Sequence, residues 1–298
     1  MTDYTISVAH DEAMQVGESP LWQAAEQTLY WVDIDGFAVH SLHPATGKHR
    51  KWPMASEPST LGRHAKGGLV VALRAGFMHL DTEDGSLSPI APAPFDKETT
   101  RFNDGKVDAA GRFWVGTIYE PRDKQAAEMF VLERGEIRKA WSGGMTVSNG
   151  LGFSQDNRVL YHADTTSHRI DRYEYDLASG TVSGKQELKQ FSMDKANNYG
   201  GRPDGAAVDS EGYYWCAMFE GGRVLRISPI TGEIVDEIKL PVRCPTMVAF
   251  GGEDLRTLYI TSASAKRTAE ELAQFPLSGR VLQVRVGVAG LNEPAYVE

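Results

Sequence analysis

Cysteine is scarce. Cys216 and Cys244 are the two in 298 residues, and they make no C-x-x-C spacing. That excludes a finger-type zinc site and points to a reducing compartment rather than a disulfide-built scaffold. Long apolar runs are missing too, with nothing near the ~18 residues that span a bilayer. The start, MTDYTISVAHDEAM, lacks the basic and apolar stretches of a signal peptide. These absences predict a soluble cytoplasmic protein. Basic charge is in deficit: 31 Lys and Arg against 40 Asp and Glu give a formal charge of −9. An acidic chain disfavours nucleic acid or an anionic membrane as partner. There is no phosphate loop ending in Lys-Ser or Lys-Thr and no G-x-S-x-G elbow, and Gly150-Leu151-Gly152 lacks the strand-before, helix-after context of a dinucleotide fingerprint. With 41% hydrophobic and 24% charged residues, disorder, collagen and coiled coil are excluded.

What is present is repetition. Six short β-like runs recur: Leu29–Ile34, Gly68–Leu73, Arg112–Thr117, Val159–Asp164, Tyr213–Met218 and Thr257–Ser262. Their third residues, at 31, 70, 114, 161, 215 and 259, are 39, 44, 47, 54 and 44 apart. Repeats of ~40–50 residues with several strands each have the spacing of propeller blades. Alternating strands joined by Gly-bearing turns follow the markers, as at Pro44–Gly47, Ala178–Gly180 and Pro229–Gly232, and read as outer hairpins. Ser264–Gln274 is the best helix candidate, and it is short. The expected fold is all-β: one six-bladed β-propeller domain over residues 1–298. A β-sandwich or a pair of β domains would not need such regular spacing. Little chain follows the last marker, so Tyr4–Val8 is expected to complete the last blade and close the ring.

Equivalent positions in successive blades converge on the central channel. Eleven to 13 residues before the markers stand Glu18, Asn103, Asn149, Asp204 and Thr246. Asn-Gly and Asp-Gly are ordinary turn dipeptides, but here Asn103-Asp104-Gly105, Asn149-Gly150 and Asp204-Gly205 share a repeat position and lead into apolar runs. Two carboxylates facing each other in a narrow pore need a positive partner. An all-oxygen set suits a hard divalent cation such as Ca²⁺, Mg²⁺ or Mn²⁺. Arg101 and Arg202 each lie two residues before a candidate, hence on the same strand face, where they would favour an oxygen-rich, anionic substrate. The eight histidines read as scattered; His40-x-x-His43 falls in a strand and turn and reads as surface.

Gly17-Glu18-Ser19-Pro20-Leu21-Trp22, Arg101-Phe102-Asn103-Asp104-Gly105-Lys106-Val107-Asp108, Ser148-Asn149-Gly150-Leu151 and Pro203-Asp204-Gly205 resemble, in order and spacing, the motifs of the senescence marker protein/gluconolactonase/luciferin-regenerating family of regucalcin-like lactonases. The resemblance covers essentially the whole chain. It implies a six-bladed propeller holding one divalent metal ion (Ca, Zn, Mn or Mg) on Glu18, Asn149 and Asp204, with Arg101 and Asn103 contacting a sugar lactone. Glu120, in Tyr119-Glu120-Pro121, matches an acidic loop residue near the substrate. The implied reaction is metal-dependent hydrolysis of a gluconolactone-like aldonolactone or aldarolactone to the free sugar acid, the water coming from the metal or activated by Asp204 as general base. The two arginines favour a lactone with an extra anionic group. Competing readings are a metal-dependent esterase or phosphotriesterase-like hydrolase, a calcium-binding regulatory propeller, and an interaction platform. The expected partner is a small-molecule sugar lactone, and the expected assembly a monomer or small homo-oligomer.

Overall fold

The computed structural model describes residues 4–197 and 199–298. Its strands form six sheets. After β1 (Ile6–His10), the first sheet is β2 (Gly17–Gln23), β3 (Thr28–Asp33), β4 (Ala38–His43) and β5 (Lys48–Pro53). The second is β6 (Pro58–His64), β7 (Leu69–Leu73), β8 (Gly76–Leu80) and β9 (Leu87–Pro92). The third is β10 (Thr100–Val107), β11 (Phe113–Tyr119), β12 (Glu128–Glu133) and β13 (Glu136–Ser142). The fourth is β14 (Ser148–Phe153), β15 (Val159–Asp164), β16 (Arg169–Asp176) and β17 (Thr181–Gln190). The fifth is β18 (Arg202–Val208), β19 (Tyr214–Phe219), β20 (Arg223–Ile227) and β21 (Ile234–Lys239). The sixth joins β22 (Pro245–Gly251) and β23 (Thr257–Ser262) to β24 (Val281–Arg285) and takes β1 as its outer strand.

Each first strand lies beside the first strand of the next sheet, and β22 lies beside β2, so the six sheets close a ring. This is the six-bladed propeller expected from the repeats. The closing strand is Ile6–His10, two residues beyond the expected run, paired antiparallel with β24. The helix is α1 (Ala269–Gln274), shorter than expected because Thr268 caps it by accepting the Glu271 amide at 3.2 Å. One pairing was not foreseen: β25 (Ala295–Tyr296) adds parallel to β6.

The marker runs are the second strands of the blades, and their continuous apolarity has a physical cause. Leu29 and Trp31 pack into the seam between the sixth and first sheets, while Tyr30 and Val32 pack into the seam between the first and second. Likewise Trp215 and Ala217 face the sixth sheet, and Tyr214, Cys216 and Met218 face the fourth. A strand buried on both faces needs no polar alternation. The described residues form six apolar clusters, one per seam. The core is therefore a circle of interfaces around an axis lined by the innermost strands.

Candidate functional site

Every innermost strand breaks register at the position that the repeat arithmetic singles out. The breaks follow Glu18, Pro58, Phe102, Asn149, Pro203 and Pro245. Each is a β-bulge, which re-aims a side chain while the ladder continues on either side. The Asn-Gly and Asp-Gly dipeptides are thus bulges, not hairpin turns. Their glycines are demanded by close approach. Gly150 has φ +59°, and a Cβ there would meet the Tyr214 hydroxyl at 2.2 Å. A Cβ on Gly205 would lie 2.3 Å from Met247 Cγ in the next blade. The second blade, for which the sequence offered no candidate, carries Ser59 at this position, buried with no hydrogen-bond partner for its hydroxyl among the described residues.

Glu18, Asn103, Asn149, Asp204 and Thr246 all line one cavity of about 210 Å³ at the N-terminal ends of the innermost strands. Each is at most 9% exposed. A hydrogen-bond chain links the third blade to the fourth. Arg101 Nη1 donates to Asn103 Oδ1 (2.9 Å), Asn103 Nδ2 donates to Asn149 Oδ1 (2.9 Å), and Asn149 Nδ2 donates to Thr165 Oγ1 (2.7 Å). This fixes the amide of Asn149 with its oxygen still open to a further contact. Thr246 Oγ1 donates to the Gly17 carbonyl (2.5 Å), steadying the backbone that carries Glu18.

The carboxylates are poorly compensated. Glu18 accepts the Ser19 amide at 2.9 Å, and the Gly205 amide serves Asp204. Burial, then the charges of Asp204 and Asp104, push the Glu18 carboxyl well above its ordinary range. Burial, then Asp104, does the same to Asp204. Asp104, to which the sequence reading gave no role, is a third buried carboxylate; it accepts the Gly105 amide at 2.7 Å and the Leu151 amide at 3.0 Å, and burial raises it to about 6. Oxygen donors this crowded, this dry and this short of positive partners fit a hard divalent cation.

Cations ring the mouth. Arg101, Arg122, Arg202, Lys266 and Arg267 line the cavity with three carboxylates, Glu18, Asp35 and Asp204. Arg202 and Arg267 lie 3.7 and 3.5 Å from the same carboxylate, Glu220. Their Nε atoms are buried and lack a partner among the described residues. Lys266 and Arg267 sit in the loop after β23, where strand periodicity carries no signal. Glu120 does not line the cavity: it makes a bidentate pair with Arg74 (2.9 and 3.0 Å) and stands 3.8 Å from Arg101 Nε. At the opposite ends of the innermost strands a cavity of about 270 Å³ holds the Lys106–Glu293 ion pair and lacks such a carboxylate group among the described residues. Both cysteines are free and buried, and among the described residues no helix is long and apolar enough to cross a membrane.

Residues 16–264 match the family described as SMP-30/Gluconolactonase/LRE-like region. The chain is 47% identical over 281 residues to 6-deoxy-6-sulfogluconolactonase of Pseudomonas putida, covering 94% of each chain. It is 33% identical to regucalcin of Xenopus laevis over 99% of both. The crystal structure of a calcium-binding protein, regucalcin, from Agrobacterium tumefaciens superposes with a TM-score of 0.92 at 26% identity, over 99% of this chain and 98% of that one.

Proposed function

Because the chain belongs to the SMP-30/gluconolactonase/luciferin-regenerating family, we propose that it is a cytoplasmic, single-domain lactonase, monomeric or a small homo-oligomer. It opens the lactone of a sugar acid that carries a second, anionic group, with a 6-sulfonated gluconolactone as the leading substrate. The relative named 6-deoxy-6-sulfogluconolactonase supports the substrate. The observation that carries the reading is the cavity itself, with undercompensated Glu18 and Asp204 among its lining residues and five cationic side chains around it.

Glu18, Asn149 and Asp204 would hold one divalent cation, Ca²⁺, Zn²⁺, Mn²⁺ or Mg²⁺. Such an ion, when bound, supplies a Lewis acid for the lactone carbonyl and keeps the two carboxylates ionised. Asp204 takes the proton of the attacking water at a carboxylate oxygen. The ring C–O bond then breaks, the proton passes to the departing ring oxygen, and the product is the open hydroxy acid. Arg101 and Asn103, already locked to each other, orient the ring hydroxyls. The guanidinium groups of Arg202 and Arg267, which line the cavity, supply charge-assisted donors for the anionic substituent. Glu120 acts through Arg74 and Arg101 as a positioning residue. Its test is a variant, Glu120→Gln, that raises KM while leaving cation affinity unchanged.

The deciding experiment compares chelated protein with protein restored in Ca²⁺, Mn²⁺, Zn²⁺ or Mg²⁺ on gluconolactone, an aldarolactone and 6-deoxy-6-sulfogluconolactone. Cation-dependent turnover that is fastest on the sulfonated lactone supports the proposal. Cation binding with no turnover on any lactone would instead favour a calcium-binding propeller, the reading that likeness to regucalcin supports.

A further inference from the structure

Three of the eight histidines are not scattered. His10 ends β1, the closing strand of the sixth sheet, and Glu12 follows two residues later. His40 is on β4 and His49 on β5 of the first sheet. One ligand atom from each of these four residues lies within 4.8 Å of all the others. His40 Nδ1 is 3.1 Å from His49 Nε2, and His10 Nε2 is 3.7 Å from Glu12 Oε2. Donors about 2.0–2.1 Å from a tetrahedral zinc ion are separated by about 3.4 Å, so these two separations bracket the required edge.

The surroundings suit a metal ion. His40 is fully buried, not on the surface as its sequence position suggested, and the Trp31 ring stacks on it at 5.2 Å. Imidazole nitrogens offer their lone pairs to soft and borderline divalent ions. His10 Nε2 is buried and has no hydrogen-bond partner among the described residues. Lys51 takes one Glu12 oxygen at 2.8 Å and leaves the other facing His10. Three imidazoles and a carboxylate suit zinc and its transition-metal neighbours, and not the hard ions that the channel's oxygens would select.

We propose that His10, Glu12, His40 and His49 form a second metal site, apart from the channel, that takes Zn²⁺ or a similar transition-metal ion and staples the closing strand of the ring to the first blade. The ligands come from both sides of the seam where the two ends of the propeller meet, so the ion stabilises closure without touching substrate.

The test uses the full chain, stripped by chelator, with Zn²⁺ and Co²⁺ as probes. Asp204→Asn disables the channel and isolates the second site. It is expected to retain one Zn²⁺ per chain in equilibrium dialysis, to give the intense visible spectrum of tetrahedral Co²⁺, and to melt about 5 °C higher with saturating Zn²⁺. His49→Gln and His10→Gln in the Asp204→Asn background are expected to weaken Zn²⁺ binding at least about 100-fold and to remove the melting shift. The same substitutions in the parent chain leave cation-dependent lactone turnover unchanged. Absence of bound Zn²⁺ in Asp204→Asn, or undiminished Zn²⁺ binding in the histidine variants, overturns the proposal. Both outcomes are independent of whether the channel hydrolyses lactones.

Discussion

Two sets of buried aspartates occupy this propeller, and they are built to opposite plans. Asp108 receives five donors: the Ala110 and Arg112 amides, Arg112 Nε, Trp114 Nε1 and the Tyr175 hydroxyl, all within 3.0 Å. Asp209 repeats the plan two blades on, with the Glu211 and Tyr213 amides, Trp215 Nε1 and Arg226 Nε at 2.8–2.9 Å. Asp204, also buried though at the wall of the cavity, has one backbone amide and two buried carboxylate neighbours, Glu18 and Asp104. The first plan satisfies the charge inside the fold and ties a turn to the marker tryptophan. The second leaves the charge unmet, a cost that the proposed cation would relieve. Burial alone does not separate the two plans; the donor count does.

The sharpest way to break this contrast is a pair of isosteric changes. Asp204→Asn is expected to lower lactone turnover by at least about 10³-fold and to abolish cation binding in the channel. The chelated variant should melt no lower than the chelated parent, because a repelling charge is gone. Asp108→Asn is expected to do the reverse. It loses about 3–5 kcal/mol in denaturant titrations, because Arg112 keeps its buried charge without a countercharge, while turnover per folded molecule stays unchanged. Equal stability losses in both variants would erase the distinction.

A smaller effect concerns the rim. Arg202→Met should raise KM for the sulfonated lactone about 10- to 100-fold, the value of a charge-assisted hydrogen bond, and leave the neutral gluconolactone unaffected. Steady-state kinetics on the two substrates check it. The smallest effect is on pH. In the cation-free protein, burial keeps protons on the channel carboxyls to higher pH than in the unfolded chain, with Asp104 at about 6. The Asp104 contribution to stability is therefore present in acid and lost as pH rises from about 4 through 6, and Glu18 and Asp204, raised as well, lose theirs in the same direction. A cation held by Glu18 and Asp204 must displace the protons on those raised carboxyls, so its affinity should fall as pH drops, by up to tenfold per unit for each proton released. Calorimetry in two buffers of different ionisation heat counts the protons. A count of zero at pH 6 would contradict the electrostatics described here.

Much of this was legible in the residue order. The markers were readable because a strand with a seam on each side is apolar at every position, and six of them recur. Glu18, Asn103, Asn149 and Asp204 were readable because the bulge falls at the same register in each blade. Asp104 was within sight, in the quoted Arg101–Asp108 run, but one residue off the repeat position; only the bulge makes both neighbours buried. Ser59 was silent because a serine among carboxylates and amides carries no ligand signature. Glu120 was assigned to the substrate, and the folded chain puts its carboxylate on Arg74 instead. Loop side chains follow no period, so neither that pairing nor the arrival of Lys266 and Arg267 at the mouth could be computed from spacing.

The histidines mark the boundary most clearly. His40 and His49 meet because the β4–β5 register pairs Leu42 with His49, placing His40 diagonally across, and His10 joins them only when the ring closes. Sequence by itself determined the blade count, the all-β architecture and the positions that face the axis, because these follow from local periodicity repeated six times. Tertiary structure alone decided which carboxylates lack donors, which arginines crowd one mouth and which histidines share a seam. Those depend on contacts between residues tens to hundreds of positions apart, whose energies no local pattern encodes.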